Sequence, residues 1–489
     1  MSNYEAVIGI EIHVQLLTRT KMFCGCEQSF ADRPNTHTCP VCLAHPGALP
    51  VTNAEAVRLG ILTGLALGCE IAPESTFHRK NYFYPDLPKA YQISQYDEPL
   101  CVGGEFTYLQ EDGEKTIRIT RVHLEEDAAK LLHLSGSGRR AGAEQSAVDF
   151  NRGGTPLAEI VTEPDLRSGQ DAADFLKQLR QTLREVGVSD CNMDEGSMRA
   201  DANVSIRPVG STELGTKTEL KNMNSFTFLR RGVEAEIARQ TAIVEAGERV
   251  VQETLHFDPT TGELTPLRSK EEAHDYRYFP EPDLTPIAPD PTWVAELRDS
   301  LPELPVARRR RYQQQLGLTF EDAEVLTETV ELSAWFEQVA AKVEPKTAAN
   351  WIRGELRALL TERGEDPWNS KVTVDSLATL IAMVEAGQVN RSSAREVVLP
   401  AMAETGADPR TIVQEQGLGA IGSGDELKGI VEQVIAENAK QAQQLRDGQD
   451  KLIGFFVGQV MKATQGRADA KTVGDLVREI AGGSRKGLR

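Results

Sequence analysis

The chain has 489 residues, of which 40% are hydrophobic and 26% are charged, a composition typical of a globular protein with roughly two to four domains. Its formal net charge of −19 excludes a protein that coats nucleic acid by charge alone, since such binding depends on Lys and Arg. The first residues lack a secretory signal and the longest apolar run, "ILTGLALG", is too short to cross a bilayer, so we expect a cytoplasmic protein with no membrane contact.

The first predicted element is a strand whose two faces differ. Over residues 6–16, "AVIGIEIHVQL", apolar and polar residues alternate, and successive side chains of a strand point to opposite faces. One face carries Ile8, Ile10, Ile12, Val14 and Leu16, and the other carries Glu11, His13 and Gln15. Alternation alone leaves open whether Glu11 and His13 face water, as on a half-buried sheet, or a functional site.

A cysteine cluster follows in "CGCEQSFADRPNTHTCPVC". It consists of a C-x-C pair and a C-x2-C pair: Cys24, Cys26, Cys39 and Cys42. In a reducing compartment two tight pairs favour metal binding over disulfides, and four thiolates suit a closed tetrahedral zinc site. We predict a structural zinc in a knuckle-like insertion at 24–42, and the alternative is a loop of reduced thiols.

The rest of the first half mixes helices with short strands. Asn53 is predicted to cap a helix in "TNAEAVRLGILTGLALG". A second helix, in "AADFLKQLRQTLREVG", ends at Gly187 and has an apolar face made of Phe175, Leu176, Leu179, Leu183 and Val186. Strands with inserted helices and no regular alternation predict an α+β domain around a largely antiparallel sheet.

Five prolines between residues 279 and 291 predict a domain boundary near residue 292, because proline interrupts both helices and sheets. Helical periodicity dominates beyond this point. The predicted parts are therefore the α+β domain 1–292, an all-helical domain 293–405 and a small helical tail 406–489. Glycines near the start of the tail are interpreted as a flexible joint, since no phosphate-loop sequence follows them: Gly417, Gly419, Gly422 and Gly424.

Two later segments, "TIRITRVHLEED" and "MRADANVSIRP", repeat the pattern of one apolar and one polar face. A third segment, "GTKTELKNMNSF", adds a charged face. Their polar positions are Arg121, His123 and Glu125; Arg199, Asp201, Asn203, Ser205 and Arg207; and Lys217, Glu219 and Lys221. A solvated sheet face produces such alternation by default. However, His, Asp, Asn and Arg suit metal and phosphate binding better than they suit an ordinary strand. A phosphoryl-transfer surface without a P-loop is therefore the sharper hypothesis.

The end of the chain is basic although the whole chain is acidic. Between residues 451 and 489, eight Lys or Arg residues stand against three acidic residues. This composition predicts contact with a polyanion, although a solvated helical surface with a frayed terminus has the same signature.

Five segments in chain order carry a resemblance to a family: "KNYFYPDLPKAYQISQYDEPL", "DFNRGGTPLAEIVTEPD", "EGSMRADANVSIRP", "TELKNMNSF" and "RYFPEPDL". Together they resemble the B subunits of the tRNA-dependent amidotransferases, the GatB/GatE family, over essentially the whole chain. The resemblance implies a cradle-shaped α+β domain, a helical domain and a YqeY-like tail that binds tRNA. It also implies a heterotrimer with two partners, namely the A subunit, which is a glutaminase, together with the C subunit.

The activity that this resemblance implies is the correction of misacylated tRNA. The B subunit of that family uses ATP to phosphorylate the side-chain carboxylate of Glu on tRNA-Gln or Asp on tRNA-Asn. Ammonia that the A subunit releases from glutamine then displaces the phosphate. The order is chemically reasonable, because a carboxylate is a poor electrophile until it becomes an acyl phosphate, and Mg²⁺ and cationic side chains stabilise the charge of that step.

The same resemblance implies roles for particular residues. The expected catalytic residues are Glu11, His13, Glu125, Glu126 and Glu159. The best expected magnesium ligands are Glu11, His13 and Glu125, the next candidates are Glu126 and Glu159, and the weaker ones are Asp194, Glu195 and Asp201. The expected contacts to ATP or the phosphoryl group are Lys80, Lys89, Asn151, Arg152, Arg199 and Asp201. The expected tRNA contacts in the tail are Lys462 and Arg467. A water-poor tunnel that brings ammonia from the glutaminase is also implied.

Two other functions are compatible with the residues. The first is a non-enzymatic tRNA adapter with a zinc knuckle and a basic tail, for which Glu11→Ala would be neutral. The second is an ATP-dependent carboxylate ligase for a small molecule, for which loss of the tail beyond residue 425 would be neutral.

Overall fold

The computed structural model describes residues 3–29, 32–134, 144–221, 223–268, 276–419, 425–464, 467–468 and 470–481. The chain forms two compact units, Met1–Arg308 and Arg309–Arg489. A large sheet with helices makes up the first unit and helices make up the second, which confirms the predicted fold class. The three-part division of the chain stays a prediction.

The strands of the described residues all lie in the first unit. Their bounds are β1 Tyr4–Gln15, β2 Glu70–Ile71, β3 His78–Asn81, β4 Tyr91–Ser94, β5 Cys101–Val102, β6 Glu105–Gln110, β7 Gly113–Glu126, β8 Lys130–Leu134, β9 Gln145–Asp149, β10 Pro156–Thr162, β11 Met198–Pro208, β12 Thr218–Lys221, β13 Thr254–Phe257, β14 Leu264–Arg268 and β15 Phe279–Pro280.

Ten of the described strands form one sheet in the order β14, β13, β12, β11, β1, β10, β7, β5, β2, with β6 paired to β7. Neighbouring strands in this part of the chain run antiparallel, apart from the parallel pair β12 and β13. A separate small sheet has the order β15, β3, β4, and β8 pairs with β9. The predicted, largely antiparallel sheet is therefore confirmed.

Strand β1 has the two faces that its sequence predicts. Ile8, Ile10 and Ile12 are at most 1% exposed and belong to the hydrophobic core, whereas Glu11 and His13 are half-buried on the opposite face. Because β1 is hydrogen-bonded on both edges, its register with β10 and β11 decides which polar residues meet across the strands.

Helices of the first unit pack on the apolar side of this sheet, among them α1 Ala54–Ala66, α2 Gly169–Glu185 and α3 Phe226–Glu245. The Asn53 side chain caps α1 by accepting hydrogen bonds from the backbone of Glu55 and Ala56, as predicted. The predicted apolar face of α2 enters the same core, and Gly187 follows that helix with a φ of 76°. The opposite, polar face of the sheet carries the side chains of the candidate site.

The remaining helices are α4 Pro291–Asp299, α5 Pro305–Gln315, α6 Phe320–Leu326, α7 Val330–Ala340, α8 Pro345–Trp351, α9 Arg357–Arg363, α10 Val374–Glu385, α11 Arg391–Ser393, α12 Leu399–Thr405, α13 Pro409–Glu415, α14 Asp425–Glu437, α15 Ala439–Arg446, α16 Leu452–Ala463 and α17 Ala470–Ala481. The π-helical turns Ile352–Leu356 and Ala394–Val398 join α8 to α9 and α11 to α12.

The described residues of the second unit form two hydrophobic cores. One runs from Tyr312 to Val413, and the other runs from Leu427 to Ala481. Of the predicted glycine joint, Gly422 and Gly424 lie outside the described residues. In the part of the chain that the structure describes, no helix has both the length and the apolar character to cross a bilayer.

Candidate active site

Histidines and carboxylates meet on the polar face of the three central strands. In the sheet register His13 of β1 lies opposite Glu159 of β10, and Glu159 lies opposite His123 of β7. Glu125 lies two residues beyond His123 and therefore points to the same face. We call His13, His123, Glu125 and Glu159 the carboxylate–histidine cluster.

The contacts within this cluster are short. His13 Nε2 lies 3.2 Å from Glu159 Oε2 and 3.4 Å from Glu125 Oε1. His123 Nε2 lies 3.4 Å from Glu159 Oε2 and 3.8 Å from Glu125 Oε2. Each carboxylate thus faces both imidazoles.

The cluster is electrostatically coupled. Burial alone would lower the pKa of His13, but the carboxylates of Glu159 and Glu125 raise it to about 10. They raise the pKa of His123 as well, also against the effect of burial. Burial would raise the pKa of both carboxyl groups, yet the two histidines hold the pKa of Glu125 and of Glu159 below its ordinary value. The carboxylates and the imidazoles of the cluster thus stabilise each other's charged forms.

Three members of the cluster suit a divalent cation. One ligand atom from each of His13, Glu125 and Glu159 lies within 4.8 Å of the others. Two of the three donors are carboxylate oxygens, the ligand type that Mg²⁺ prefers, and the third is an imidazole nitrogen. The donor chemistry therefore fits magnesium.

Glu11 lies on the same face but has other neighbours. Its Oε1 accepts a hydrogen bond of 3.0 Å from Asn203 Nδ2 on β11, and Asp201 is its direct partner in the register. Lys221 Nζ contacts Asp201 Oδ2 at 3.3 Å. Burial would lower the pKa of Lys221, but Asp201, Glu219 and Glu11 raise it. Glu11 thus belongs to a second group beside the cluster, and its role as a magnesium ligand stays a prediction.

The small sheet brings residues of β3 and β4 to the cluster. Ser94 Oγ donates a hydrogen bond of 3.2 Å to Glu125 Oε2. Lys80 Nζ lies 4.9 Å from the ring centre of Tyr276. Burial opposes the charge of Lys80, but Tyr278, Glu125 and Glu159 raise its pKa. The structure thus brings the predicted cation Lys80 to the carboxylates.

Glu126 and Lys89 form an ion pair with each other. Glu126 Oε1 also accepts the backbone N–H of Ile93 at 3.0 Å. The carboxyl group of Glu126 is therefore used in holding β4 against β7, and among the described metal-ligand groups it does not join His13, Glu125 and Glu159.

The predicted arginines converge on Asp127, which immediately follows β7. Arg199 Nη2 lies 3.2 Å and Arg152 Nε lies 3.7 Å from Asp127 Oδ2. Arg152 also donates hydrogen bonds to the backbone carbonyls of Ala128 and Ala129. Arg199 is half-buried and its pKa is raised, above all by Asp127. Both cations therefore stand at the edge of the cluster, held by a shared acid.

Asn151 lies elsewhere. Its Oδ1 accepts the backbone N–H of His37, and its Nδ2 donates to the carbonyl of Arg33. Both ends of the amide thus hold the loop that carries the cysteines, and its predicted contact with ATP stays a prediction.

The four cysteines meet as their spacing predicts. Their sulfur atoms lie within 4.8 Å of one another, and Lys21 Nζ lies 3.8 Å from Cys42 Sγ and 3.0 Å from the carbonyl oxygen of Phe150. A hydrogen bond from Cys24 and the charge of Lys21 help to lower the pKa of Cys42 to about 4. The set suits a closed tetrahedral zinc site.

The other predicted residues lie apart from the cluster. Asp194 and Glu195 are exposed in the turn after α2, where the Asn192 side chain accepts their backbone N–H groups. Lys462 is exposed in the last turn of α16, and the Nε of Arg467 donates to the carbonyl of Thr464.

Four residues that make contacts in the candidate sites were not among the predicted site residues: His123, Asp127, Lys21 and Ser94. His123 had a signal, because it shares the polar face of Glu125. Asp127 had a weaker one, as the third acid in a row at the end of a strand. Lys21 and Ser94 gave none, because burial and nonlocal contacts define their roles.

Residues 6–295 match the family model described as the GatB/GatE catalytic domain, and residues 334–480 match the model described as the GatB domain. The B subunit of the aspartyl/glutamyl-tRNA(Asn/Gln) amidotransferase of Anaeromyxobacter dehalogenans is 49% identical over 488 residues, 99% of either chain. The proteins of the same name from Thermodesulfovibrio yellowstonii and Geobacter sulfurreducens are each 50% identical, over 98% and 97% of this chain and 99% and 98% of their own.

Proposed function

The chain belongs to the GatB/GatE family, and we propose that it is the B subunit of a glutamine-dependent amidotransferase, a carbon–nitrogen ligase. Its reaction converts Asp-tRNA(Asn), Glu-tRNA(Gln) or both into the amidated forms. ATP phosphorylates the side-chain carboxylate on the tRNA, and ammonia then replaces the phosphate. The observation that carries this proposal is the carboxylate–histidine cluster, which is largely buried on the polar face of the sheet with Lys80, Arg152 and Arg199 at its edges.

In this proposal His13, Glu125 and Glu159 hold Mg²⁺, with Glu11 beside them. The ion, when bound, supplies positive charge next to the phosphate oxygens of ATP. His123 donates to the same carboxylates and keeps their oxygens in place. Lys80, Lys89, Arg152 and Arg199 stabilise the charge that develops on the transferred phosphoryl group. Asn151 and Asp201 complete the proposed ATP contacts.

The amidation step needs ammonia rather than ammonium. We propose that the A subunit releases ammonia from glutamine, and that a tunnel delivers it to the polar face without exposure to water. The C subunit joins the other two in the heterotrimer. Because the substrate is a tRNA used in translation, the complex is proposed to act in the cytoplasm.

The test uses the chain assembled with the A and C subunits. Glu159→Gln removes a carboxylate that faces both histidines, so we expect amidation of misacylated tRNA with glutamine and ATP to fall at least about a hundredfold, while binding of the same tRNA is retained. Glu163→Gln is the matched control. Glu163 lies just beyond the same strand and accepts a hydrogen bond from Thr120 Oγ1 at 2.7 Å, and its variant should stay active.

Glu11→Gln separates the predicted ligand role from a supporting one. A loss as large as that of Glu159→Gln supports ligation, whereas an active enzyme removes Glu11 from the magnesium set. If the wild-type complex shows no ATP-dependent amidation of either misacylated tRNA, the proposed function itself is wrong.

A further inference from the structure

One aromatic side chain stands out on the surface of the first unit. Phe83 is 91% exposed, more than any other large hydrophobic side chain among the described residues. It lies in the loop between β3 and β4, flanked by Tyr82 and Tyr84. We call residues 82–84 the hairpin tip. A single exposed hydrophobic side chain is common on protein surfaces, but Phe83 stands between two further aromatic residues.

The tip has an ordered support. The rings of Tyr82 and Tyr84 stack with centroids 5.9 Å apart and planes at 14°. Neither ring is fully exposed, so the pair forms a base from which Phe83 projects. Such parallel rings present flat surfaces on which a further planar group can stack.

The hairpin is basic within an acidic chain. Residues 78–91 contain Arg79, Lys80 and Lys89 but a single acid, Asp86, while the whole chain carries a net charge of −19. Two of these cations are already paired inside the protein, Arg79 with Glu281 and Asp283, and Lys89 with Glu126. What the hairpin offers an occupant is therefore its exposed aromatic surface, on which the bases of a single-stranded RNA can stack.

The hairpin is also continuous with the carboxylate–histidine cluster. Its stem brings Lys80 and Ser94 to that cluster. Phe83 follows Lys80 by three residues, so the Cα atoms of these two residues lie within about 10 Å of each other. In the proposed function the reacting carboxylate belongs to the side chain of an amino acid. That amino acid is attached through an ester to the terminal nucleotide of the tRNA. The last nucleotides of that strand must therefore lie near the cluster.

We propose that the hairpin tip is a stacking platform for the unpaired 3′-terminal nucleotides of the misacylated tRNA, with Phe83 contacting a base directly. This inference rests on the proposed function and adds a residue that positions the substrate. Stacking recognises every base by its flat face, so the tip would hold the end that all tRNAs share and leave tRNA identity to other contacts.

The test measures steady-state amidation by the complex assembled with the A and C subunits. Phe83→Ala should raise the KM for misacylated tRNA about tenfold, in keeping with the usual loss of one stacked base, while the KM for glutamine stays constant. Phe83→Trp keeps a stacking surface and should restore the wild-type KM. Val251→Ala is the matched control, since Val251 is 69% exposed and is an apolar residue outside the hairpin.

A second measurement uses a tRNA with an abasic nucleotide in place of the penultimate cytidine. The protein and the base are then altered separately and together, as in a double-mutant cycle. If Phe83 stacks on that base or its neighbour, the abasic tRNA weakens the wild-type enzyme more than it weakens the Phe83→Ala variant. An unchanged KM for Phe83→Ala, with an active wild-type complex, overturns the inference and leaves the proposed function intact. Loss of assembly with either of the other two subunits also overturns it, because the tip would then be a protein contact.

Discussion

His13 connects the candidate active site to pH. Its pKa is raised from 6.5 to about 10 by Glu159 and Glu125, against the effect of burial. A magnesium ion needs the neutral imidazole, so the proton and the metal compete for the same nitrogen. The cluster is therefore expected to bind metal more tightly as pH rises.

The metal-free chain should respond to pH in the opposite direction. Because the folded pKa of His13 lies above the ordinary value, the stability it contributes is fully present below pH 6.5 and is lost as pH rises through about 10. With a chelator present, the His13→Gln substitution should thus lower the thermal unfolding midpoint near pH 6.5. The same substitution should have little effect on that midpoint above pH 10. His133→Gln, at a half-buried position on β8, is the control. A His13→Gln effect that grows toward higher pH would contradict this assignment.

Residue patterns predicted the orientation of His13 but not its partners. Alternation along β1 is a local property, so the polar face of Glu11 and His13 could be predicted from adjacent residues of one segment. The pairing of His13 with Glu159 depends on the register of β1 with β10, which is a nonlocal property. For the same reason the pattern could not show that Glu126 pairs with Lys89 or that Asn151 holds the cysteine loop.

At the scale of elements, the cysteine loop depends on a few polar anchors. Asn151 binds its backbone at Arg33 and His37, and Lys21 reaches Cys42 from the protein interior. The buried charge of Lys21 is favourable next to sulfur that carries negative charge. A bound zinc would fix the four thiolates and draw their pKa values down together.

Protein purified without a chelator should contain about one zinc per chain, measured by mass spectrometry of the metal. Cys39→Ser removes one of four ligands and should reduce that content strongly and make the loop easier to cleave with protease. Cys69→Ser is the control, since Cys69 is buried in the hydrophobic core away from the cluster. A wild-type zinc content near zero would remove the metal from this site.

The helical elements were predicted better than the strand pairings for a physical reason. The cap of α1 by Asn53 and the end of α2 before Gly187 are set by residues within one turn of the helix. By contrast, the small sheet joins β15 to β3, elements that lie far apart in sequence. That sheet carries Lys80 and Ser94 to the cluster, so much of the site depends on contacts that no local pattern records.

At the scale of the whole molecule, an acidic chain must hold a polyanionic substrate. The formal charge is −19, yet eight Lys or Arg residues stand between residues 451 and 489. Residues from Leu427 to Ala481 have a hydrophobic core of their own. A surface for tRNA can thus be separated from the surface for the chemistry, and substitutions can affect one without the other.

Lys462→Ala should weaken tRNA binding about equally for different tRNA sequences and reduce the salt slope of binding by about one, because one phosphate contact releases about one counterion. Lys462 is exposed on α16, so the fold should be unaffected, and the maximal amidation rate at saturating tRNA should remain. Lys342→Ala is the control, since Lys342 Nζ pairs with Asp375 at 2.9 Å outside the predicted tail. Deleting the chain beyond residue 425 should abolish the tail contribution altogether. Unchanged binding and amidation of tRNA at low concentration by that truncated complex would contradict a role of the tail in tRNA binding.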